Sequence, residues 1–289
     1  MTEKKTPFQR ENEDIAWCPG CGNFLILDCL ARALDRAGKK PRETVISSGI
    51  GQAAKLPQYL TCNYFNGLHG RALPVATGIK MANPGLTVIA ESGDGCMYGE
   101  GGNHFIHTIR RNPDLTTIVH NNMVYGLTKG QASPTSRKGF TTPVQTGGVV
   151  LEPFNPLTVA LSLKVSFAAR AFAGDKEETV DILTAALSHT GYALVDILQP
   201  CVSFNKVNTF KWYKEHSRYL EDSHNPQDCH AALHQADSQD PLMLGIFYQE
   251  KGRPPFEQHL APYQETDTPL YQRTLNRQQQ VEDFLGEKL

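Results

Sequence analysis

The sequence lacks the features of two large classes of protein. Its 289 residues contain no apolar run of membrane-spanning length, and residues 1–17 are too polar for a signal peptide. The 28 basic and 30 acidic residues nearly balance, and no basic cluster provides the electrostatic footprint of a nucleic-acid-binding protein. We therefore expect a cytoplasmic protein with neither a membrane nor a nucleic acid as partner.

Cysteine motifs are also few. The chain has seven cysteines, an odd number, and in a reducing compartment these are more often thiols or metal ligands than disulfides. Cys18 and Cys21 form a CxxC turn at the start of a helix, which suits redox exchange, half of a zinc site or half of an iron-sulfur site. The motif precedes the first strand, unlike a thioredoxin motif, and no second CxxC or CxxH completes a zinc site. Iron-sulfur chemistry remains, if two further cysteines converge here.

The segment from Thr87 to Thr128 carries the strongest fold signal. Two short apolar runs, 87–90 and 116–120, predict parallel strands joined by a helix over 101–111. The first run leads into Ser-Gly-Asp-Gly and the second into Asn-Asn, so Asp94 and Asn122 should lie side by side. The hydrophobic content of 40% is enough for a full core. These patterns predict an α/β fold, a doubly wound parallel sheet.

Ligands of such sheets bind beyond the carboxyl ends of the strands, where Asp94 and Asn122 are expected. Their hard oxygen atoms suit Mg²⁺, and Gly93 and Gly95 let backbone amides approach a diphosphate. A Gly-Asp-Gly triplet alone is typical of ordinary turns. Its combination with Asn-Asn after the next strand favours a magnesium-diphosphate site.

The remaining elements follow from periodicity and from glycine and proline stops. A polar composition after residue 204 indicates an extension or arm over 205–289 that docks either on a domain formed by residues 1–204 or on a partner. The predicted elements are helices over 24–37, 68–81 and 178–189, strands over 44–48, 165–172, 193–198 and 242–248, a long loop over 140–156 and a C-terminal Gln-rich helix.

Several motifs occur together in one order. They are WCPGCGN, SGIG, LHGRA, SGDG, HNN, VYGLTKGQASPT and QPCVSFN, within residues 15–215. This series resembles the β subunit of 2-oxoacid:ferredoxin oxidoreductases. The resemblance implies the thiamine diphosphate-binding fold, thiamine diphosphate with Mg²⁺, one [4Fe-4S] cluster, and an α (or fused γ-α) partner subunit that supplies the rest of the active site.

The resemblance also implies roles for individual residues. Magnesium would be held by Asp94, Asn122 and the carbonyl of Val124, and Lys55 would bind the carboxylate of the 2-oxo acid. Three cluster ligands would be Cys18, Cys21 and Cys201. The residues expected to contact thiamine diphosphate are Ile50, Gly51, Gln52, Ala53, His69, Gly95, Cys96 and Leu127.

The fourth cluster ligand departs from the family pattern. Where many relatives have cysteine after Gly-Ile-Gly, this chain has Gln52, whose amide is a poor ligand for iron. Cys62 is the best substitute, because it lies ten positions further on, in the same connection. Cys29 falls within a helix, Cys96 follows the diphosphate turn, and Cys229 lies in the polar extension.

The resemblance implies oxidative decarboxylation of a 2-oxo acid, 2-oxoglutarate being favoured over pyruvate, to acyl-coenzyme A and CO₂. Electrons would pass through the cluster to ferredoxin, with the reverse reductive carboxylation also open, in an (αβ)₂ heterotetramer. Glu91 or Glu100 could activate the cofactor's aminopyrimidine, a role that the resemblance gives to the partner chain. Two alternatives are a non-redox thiamine diphosphate decarboxylase or carboligase, which has no use for the cysteines, and a zinc-stabilised binding or assembly protein, which leaves Asp94 and Asn122 unexplained.

Overall fold

One sheet runs through the molecule. The computed structural model describes residues 5–10, 14–273 and 277–287, and within them the sheet has eight strands in the order β2-β1-β3-β4-β6-β5-β8-β7. Neighbouring strands are parallel except for β5 and β8, which are antiparallel. The strands are β1 (Thr44–Ser48), β2 (Asn63–Asn66), β3 (Thr87–Gly93), β4 (Thr116–Asn121), β5 (Phe167–Phe172), β6 (Ala193–Leu198), β7 (Ser217–Tyr219) and β8 (Leu242–Gln249).

Helices cover both faces of the sheet. The described α-helices are α1 (Asn23–Arg36), α2 (Ala72–Ala82), α3 (Gly102–Arg111), α4 (Pro156–Ser162), α5 (Lys176–Ser188), α6 (Phe210–His216), α7 (Cys229–Asp237) and α8 (Arg277–Gly286). One buried apolar cluster joins α1 and α5 to one face, and a second joins α2, α3, α4 and α7 to the other. Every residue of β4, β5 and β6 is buried, as expected for strands covered on both sides. The predicted doubly wound α/β fold is confirmed.

Several elements differ from the sequence prediction, which also lacked α6, β7 and α7. Helix α2 begins at Ala72 and not at Leu68, because Gly70 adopts a left-handed φ of 66° and keeps the preceding residues in a turn. Strand β2 was not predicted, since its four exposed residues, Asn-Tyr-Phe-Asn, are too few to show an alternating pattern. Helix α4 was also missed; it begins inside the predicted loop, where the Asn155 side chain accepts a hydrogen bond from Thr158 N.

The C-terminal extension contributes to the same sheet. The predicted strand over 242–248 is β8, and its pairing with β5 brings β7 to the edge. The predicted Gln-rich helix is α8, whose residues are exposed. The division at residue 204 stays a prediction. Among all helices in the described ranges, none is both long and apolar enough to cross a membrane.

Candidate functional site

The carboxyl ends of the central strands open into one large cavity. It measures about 910 Å³, including the part that is open to solvent. Strands β3 and β4 pair in parallel through Gly93 and His120, which brings Asp94 and Asn122 to the same edge, as predicted. All predicted site residues except Lys55 and Cys62 line this cavity. The residues in its wall are Cys18, Cys21, Ile50, Gly51, Gln52, Ala53, His69, Asp94, Gly95, Cys96, Asn122, Val124, Leu127 and Cys201.

One end of the cavity, which we term the strand end, is formed by Asp94, Asn122 and Val124. The Asp94 carboxyl is 2% exposed, and its Oδ2 accepts hydrogen bonds from Ser133 Oγ and Thr135 Oγ1, both at 2.6 Å. Burial raises the pKa of Asp94 to about 6, although the two hydroxyl groups oppose this shift. The interactions that set this pKa in the described structure include no basic side chain, so a cation bound here would supply the counter-charge.

A network of buried polar side chains connects to Asp94 through Thr135. Thr135 Oγ1 also lies 2.9 Å from the Asn121 Oδ1 acceptor, and the Asn121 amide donates to both oxygens of Asp196 at 3.2 Å. Asp196 accepts further hydrogen bonds from Tyr98 Oη at 2.9 Å and Arg170 Nε at 3.3 Å. These buried hydrogen bonds hold the strand end in place, although Arg170 Nη1 has no hydrogen-bond partner among the described residues.

Asn122 and Val124 form a tight turn after β4. Asn122 Oδ1 accepts a hydrogen bond from Val124 N at 3.1 Å, and Met123 between them has a φ of 57°. The backbone carbonyl of Asn122 accepts from Asn205 Nδ2 at 3.1 Å, which ties the C-terminal extension to the turn. The turn places the Asn122 side chain and the Val124 backbone in the cavity wall.

Two glycines make room for Tyr125. Its hydroxyl lies 3.3 Å from both Gly95 O and Glu100 Oε1. A Cβ atom on Gly95 would stand 2.2 Å from the Tyr125 ring, and one on Gly99 would stand 2.6 Å from its hydroxyl. Both positions therefore require glycine. They lie in or beside the π-helix Gly95–Glu100, which connects β3 to α3.

The Cys96 thiol joins three predicted contact segments. Its Sγ accepts backbone hydrogen bonds from Gly70 N at 3.1 Å and Ile50 N at 3.4 Å. A Cβ on Gly49 would stand 2.6 Å from this sulfur, so the first Gly-Ile-Gly residue must lack a side chain. Cys96 thus holds the Gly-Ile-Gly turn and the His69 turn against the Gly-Asp-Gly turn.

A second part of the cavity wall, which we term the cysteine end, is formed by Cys18, Cys21 and Cys201. Each sulfur accepts one hydrogen bond: Cys18 from Ser203 Oγ at 3.2 Å, Cys21 from Gln199 Nε2 at 3.5 Å and Cys201 from Phe204 N at 3.4 Å. Burial raises the pKa of Cys21 to about 11, and the neighbouring Cys201 and Cys18 add to the shift.

Gln52 lies at the same end. Its backbone oxygen accepts a hydrogen bond from Trp17 Nε1 at 2.8 Å, while its buried side-chain Oε1 has no hydrogen-bond partner among the described residues. Within the described part of the chain, no three His, Cys, Asp or Glu side chains are grouped to hold a metal ion. In a cubane cluster, by contrast, each thiolate binds a different iron atom.

Lys55 and Cys62 lie outside the cavity wall. Lys55 is in the 3₁₀ turn Ala53–Tyr59, directly after Gly-Ile-Gly, and its Nζ donates to Ala16 O at 3.5 Å. Cys62 lies before β2, where burial raises the pKa of its thiol to about 12 and the nearby Arg10 opposes the shift. The structure thus places three of the four predicted cluster cysteines in the wall of one cavity, and the roles of all four stay predictions.

Several residues of the site were not identified from the sequence. Ser133 and Thr135 occur in a quoted motif, but hydroxyl residues in a loop carry no signal of what they contact. Glu100 lines the cavity, whereas Glu91 is fully buried beneath it. The other wall residues missed are Trp17, Asn23, Tyr125, Thr128, Gln199, Ser203 and Phe204.

Comparison with known proteins agrees with this geometry. Residues 45–197 match the family model of the thiamine pyrophosphate enzyme C-terminal TPP binding domain, and residues 201–265 match the model of the C-terminal part of the pyruvate ferredoxin oxidoreductase beta subunit. The 2-oxoacid:ferredoxin oxidoreductase subunit beta of Saccharolobus solfataricus is 40% identical over 259 residues, which cover 85% of each chain. The chain belongs to this family of β subunits.

A further relative and a solved structure, both similar to this chain, are named for 2-oxoglutarate. The 2-oxoglutarate synthase subunit KorB of Archaeoglobus fulgidus is 36% identical to this β subunit over 234 residues, 81% of this chain and 84% of that one. A solved 2-oxoglutarate:ferredoxin oxidoreductase from Magnetococcus marinus, with 2-oxoglutarate, coenzyme A and succinyl-CoA bound, matches with a TM-score of 0.87 and 34% identity over 91% of both chains. As a β subunit, the chain has an α subunit as its partner.

Proposed function

We propose that this chain is the cofactor-carrying subunit of an enzyme that oxidatively decarboxylates 2-oxoglutarate to succinyl-coenzyme A and CO₂. Electrons leave through a [4Fe-4S] cluster to ferredoxin, and the same assembly supports the reverse, reductive carboxylation. The observation that carries the proposal is the joint placement of Asp94, Asn122 and three cysteines in the wall of one cavity. The 2-oxoglutarate enzymes among the relatives support this choice of substrate.

The strand end fits magnesium and a diphosphate. Asp94 is a buried carboxyl whose side-chain partners are two hydroxyl groups, an environment that a divalent cation would complete. Asn122 Oδ1 and the Val124 carbonyl offer two more oxygen ligands in the adjacent turn. The Gly95 backbone is free of a side chain where the diphosphate would approach. Thiamine diphosphate, when bound, supplies a carbanion that adds to the carbon of the 2-oxo group.

The cysteine end fits an iron-sulfur cluster at three corners. Cys18, Cys21 and Cys201 supply thiolates, and each sulfur already accepts a hydrogen bond, as is common for cluster sulfurs. Cys62 remains our candidate for the fourth corner. The cluster supplies one-electron transfer, so its position in the same cavity keeps the path of the electrons short.

The substrate carboxylate requires a cation near the Gly-Ile-Gly turn. Lys55 follows this turn directly, and its present partner is a single backbone carbonyl at the long distance of 3.5 Å. This weak hydrogen bond leaves Nζ free to exchange to a carboxylate. The partner α subunit, in an (αβ)₂ assembly, completes the pocket and takes up coenzyme A.

The test is the complex of this chain with its α subunit, purified without oxygen. We expect iron and sulfide in equal amounts, and ferredoxin reduction that depends on 2-oxoglutarate, coenzyme A and thiamine diphosphate. A panel of 2-oxo acids that includes pyruvate checks the substrate. Decarboxylation without iron would favour the non-redox thiamine enzyme, and zinc without activity would favour the assembly protein.

A further inference from the structure

A short turn after β6 connects the two ends of the cavity. Within it, Phe204 N donates to Cys201 Sγ at 3.4 Å, and Asn205 N donates to Cys201 O at 3.3 Å. From the same residue, Asn205 Nδ2 donates to Asn122 O at 3.1 Å. One buried side chain therefore lies between Cys201, a proposed cluster ligand, and Asn122, a proposed magnesium ligand.

The Asn205 side chain uses the full hydrogen-bonding capacity of an amide and is 2% exposed. Its Nδ2 donates to Asn122 O and, at 3.0 Å, to Asn208 Oδ1. Its Oδ1 accepts from Val207 N at 3.1 Å and from Asn208 N at 3.0 Å. Two donor hydrogens and two acceptor lone pairs are all that an amide has, so these four contacts fix which way the side chain points. None of the steps proposed above uses Asn205.

The hydrogen bond from Asn205 holds one peptide group of the turn after β4. Met123 O, the next carbonyl, accepts from Ser136 Oγ at 2.6 Å. Met123 itself has a left-handed φ of 57°, a conformation that costs free energy and persists only where the surroundings hold it. Asp94 has its own hydroxyl partners, so the Asn122 turn is the part of the strand end that Asn205 helps to hold.

Phe204 adds a packing contact between the same two segments. Gly130 has a φ of 102°, and a Cβ there would stand 3.1 Å from Phe204 Cδ1. Gly130 N in turn donates to Tyr125 O at 2.8 Å, directly after the Asn122 turn. The segment that carries Cys201 thus contacts the strand end both by a hydrogen bond and by close packing.

We propose that Asn205 is a positioning residue that transmits the order of the Cys201 loop to the Asn122 turn, so that thiamine diphosphate binds more tightly when Cys201 holds a cluster. The inference rests on the proposed function, because it needs both groups in one cavity. In this structure the Cys201 sulfur accepts one hydrogen bond, at 3.4 Å. A bond to iron would fix this sulfur and, through the turn, Asn205. Thiamine diphosphate would then bind to a turn that is already ordered, which lowers the entropy cost of binding.

The test compares the affinity of the αβ complex for thiamine diphosphate, with and without its cluster, by calorimetric titration in the presence of Mg²⁺. Mild oxidation and an iron chelator remove the cluster. For the wild-type complex we expect about tenfold tighter binding in the cluster-loaded form. Asn205→Asp keeps the two acceptor contacts and loses both donors, so its two forms should bind equally. Asn205→Ala, which adds no charge, serves if Asn205→Asp does not fold.

A matched control separates coupling from general destabilisation. Asn155 also ties the C-terminal extension to the rest of the chain: its Nδ2 donates to Ala236 O at 2.7 Å, and its Oδ1 accepts from Thr158 N at 3.3 Å. Asn155 is not part of the cavity wall, so Asn155→Asp should keep the ratio of about tenfold between the two forms. A purely structural role of Asn205 would weaken binding in both forms and leave this ratio unchanged.

Iron analysis and the wild-type titrations distinguish failure of this inference from failure of the proposed function. Wild-type complex without iron, or without affinity for thiamine diphosphate, would contradict both. Equal affinities of the cluster-loaded and cluster-free wild-type complex would overturn this inference alone, whether or not the variants fold. A wild-type ratio that persists in Asn205→Asp or Asn205→Ala would also overturn it, because the coupling would then not pass through Asn205.

Discussion

The two ends of the cavity are built in different ways. At the strand end, Asp94 and Asn122 follow directly from paired strands, and hydroxyl groups already hold the carboxylate at 2.6 Å. At the cysteine end, the sulfurs lie on two loops distant in sequence, and each accepts one hydrogen bond of 3.2–3.5 Å. The difference indicates that the sheet holds the proposed diphosphate site in place before a ligand binds, whereas the proposed cluster would have to organise the cysteine loops.

The largest expected effect tests the strand end. Asp94→Ala removes the one carboxylate among the proposed magnesium ligands, so thiamine diphosphate affinity should fall by more than about 100-fold, or about 2.7 kcal/mol. Calorimetric titration with Mg²⁺ present measures the affinity, and iron content should be unchanged. Asp35→Ala, at an exposed position of α1, is the control. If Asp94→Ala bound thiamine diphosphate with wild-type affinity, the comparison between the strand end and the cysteine end would lose its basis.

The second prediction concerns the cysteine end. Cys62→Ser should lose the brown colour and the EPR signal of the reduced cluster, or yield a three-iron form, because we assign Cys62 as the fourth thiolate. Ligation requires the connection before β2, which includes the 3₁₀ turn Ala53–Tyr59, to shift toward the other cysteines. Cys29→Ser and Cys229→Ser should retain both properties. An intact four-iron spectrum in Cys62→Ser would rule out Cys62 and direct attention to Gln52.

A smaller effect is expected at Lys55, which lies beside the cavity. Lys55→Ala should raise KM for 2-oxoglutarate by about 10- to 150-fold, equivalent to about 1.5–3 kcal/mol for one charge-assisted hydrogen bond. Thiamine diphosphate affinity should change little. Steady-state kinetics of the αβ complex provide the measurement, with Lys40→Ala as an exposed control. Equal KM values in Lys55→Ala and wild type would reject the role.

The smallest expected effect tests whether the strand end is formed before thiamine diphosphate binds. Thr135→Val removes one of two hydroxyl groups on Asp94 Oδ2, and Ser133 still donates to that oxygen. We expect about fivefold weaker thiamine diphosphate binding, or about 1 kcal/mol, by calorimetry. Thr184→Val is the control. It removes a hydroxyl group on α5, far from the cavity, that donates to Val180 O, and this variant should bind thiamine diphosphate normally. A loss as large as that of Asp94→Ala would mean that the hydroxyl groups, and not the carboxylate, dominate.

The same contrast explains what the sequence could predict. Strand runs and glycine turns located Asp94 and Asn122, because parallel strands must bring their carboxyl ends to one edge. The side chains that contact Asp94 could not be predicted from the sequence, because Ser133 and Thr135 lie in an irregular loop without periodicity. Glu91 was named from the sequence only as a possible activator of the aminopyrimidine, because a polar residue within an apolar strand reveals neither its burial nor its partner.

Tyr125 has a consequence for the evolution of the site. Its ring fills the space in which side chains at Gly95 and Gly99 would stand. Neither glycine can change alone, and shrinking Tyr125 first would remove its hydrogen bonds to Gly95 and Glu100. A single substitution at any of the three positions therefore causes either a steric clash or a loss of hydrogen bonds, so that the three residues can change only together.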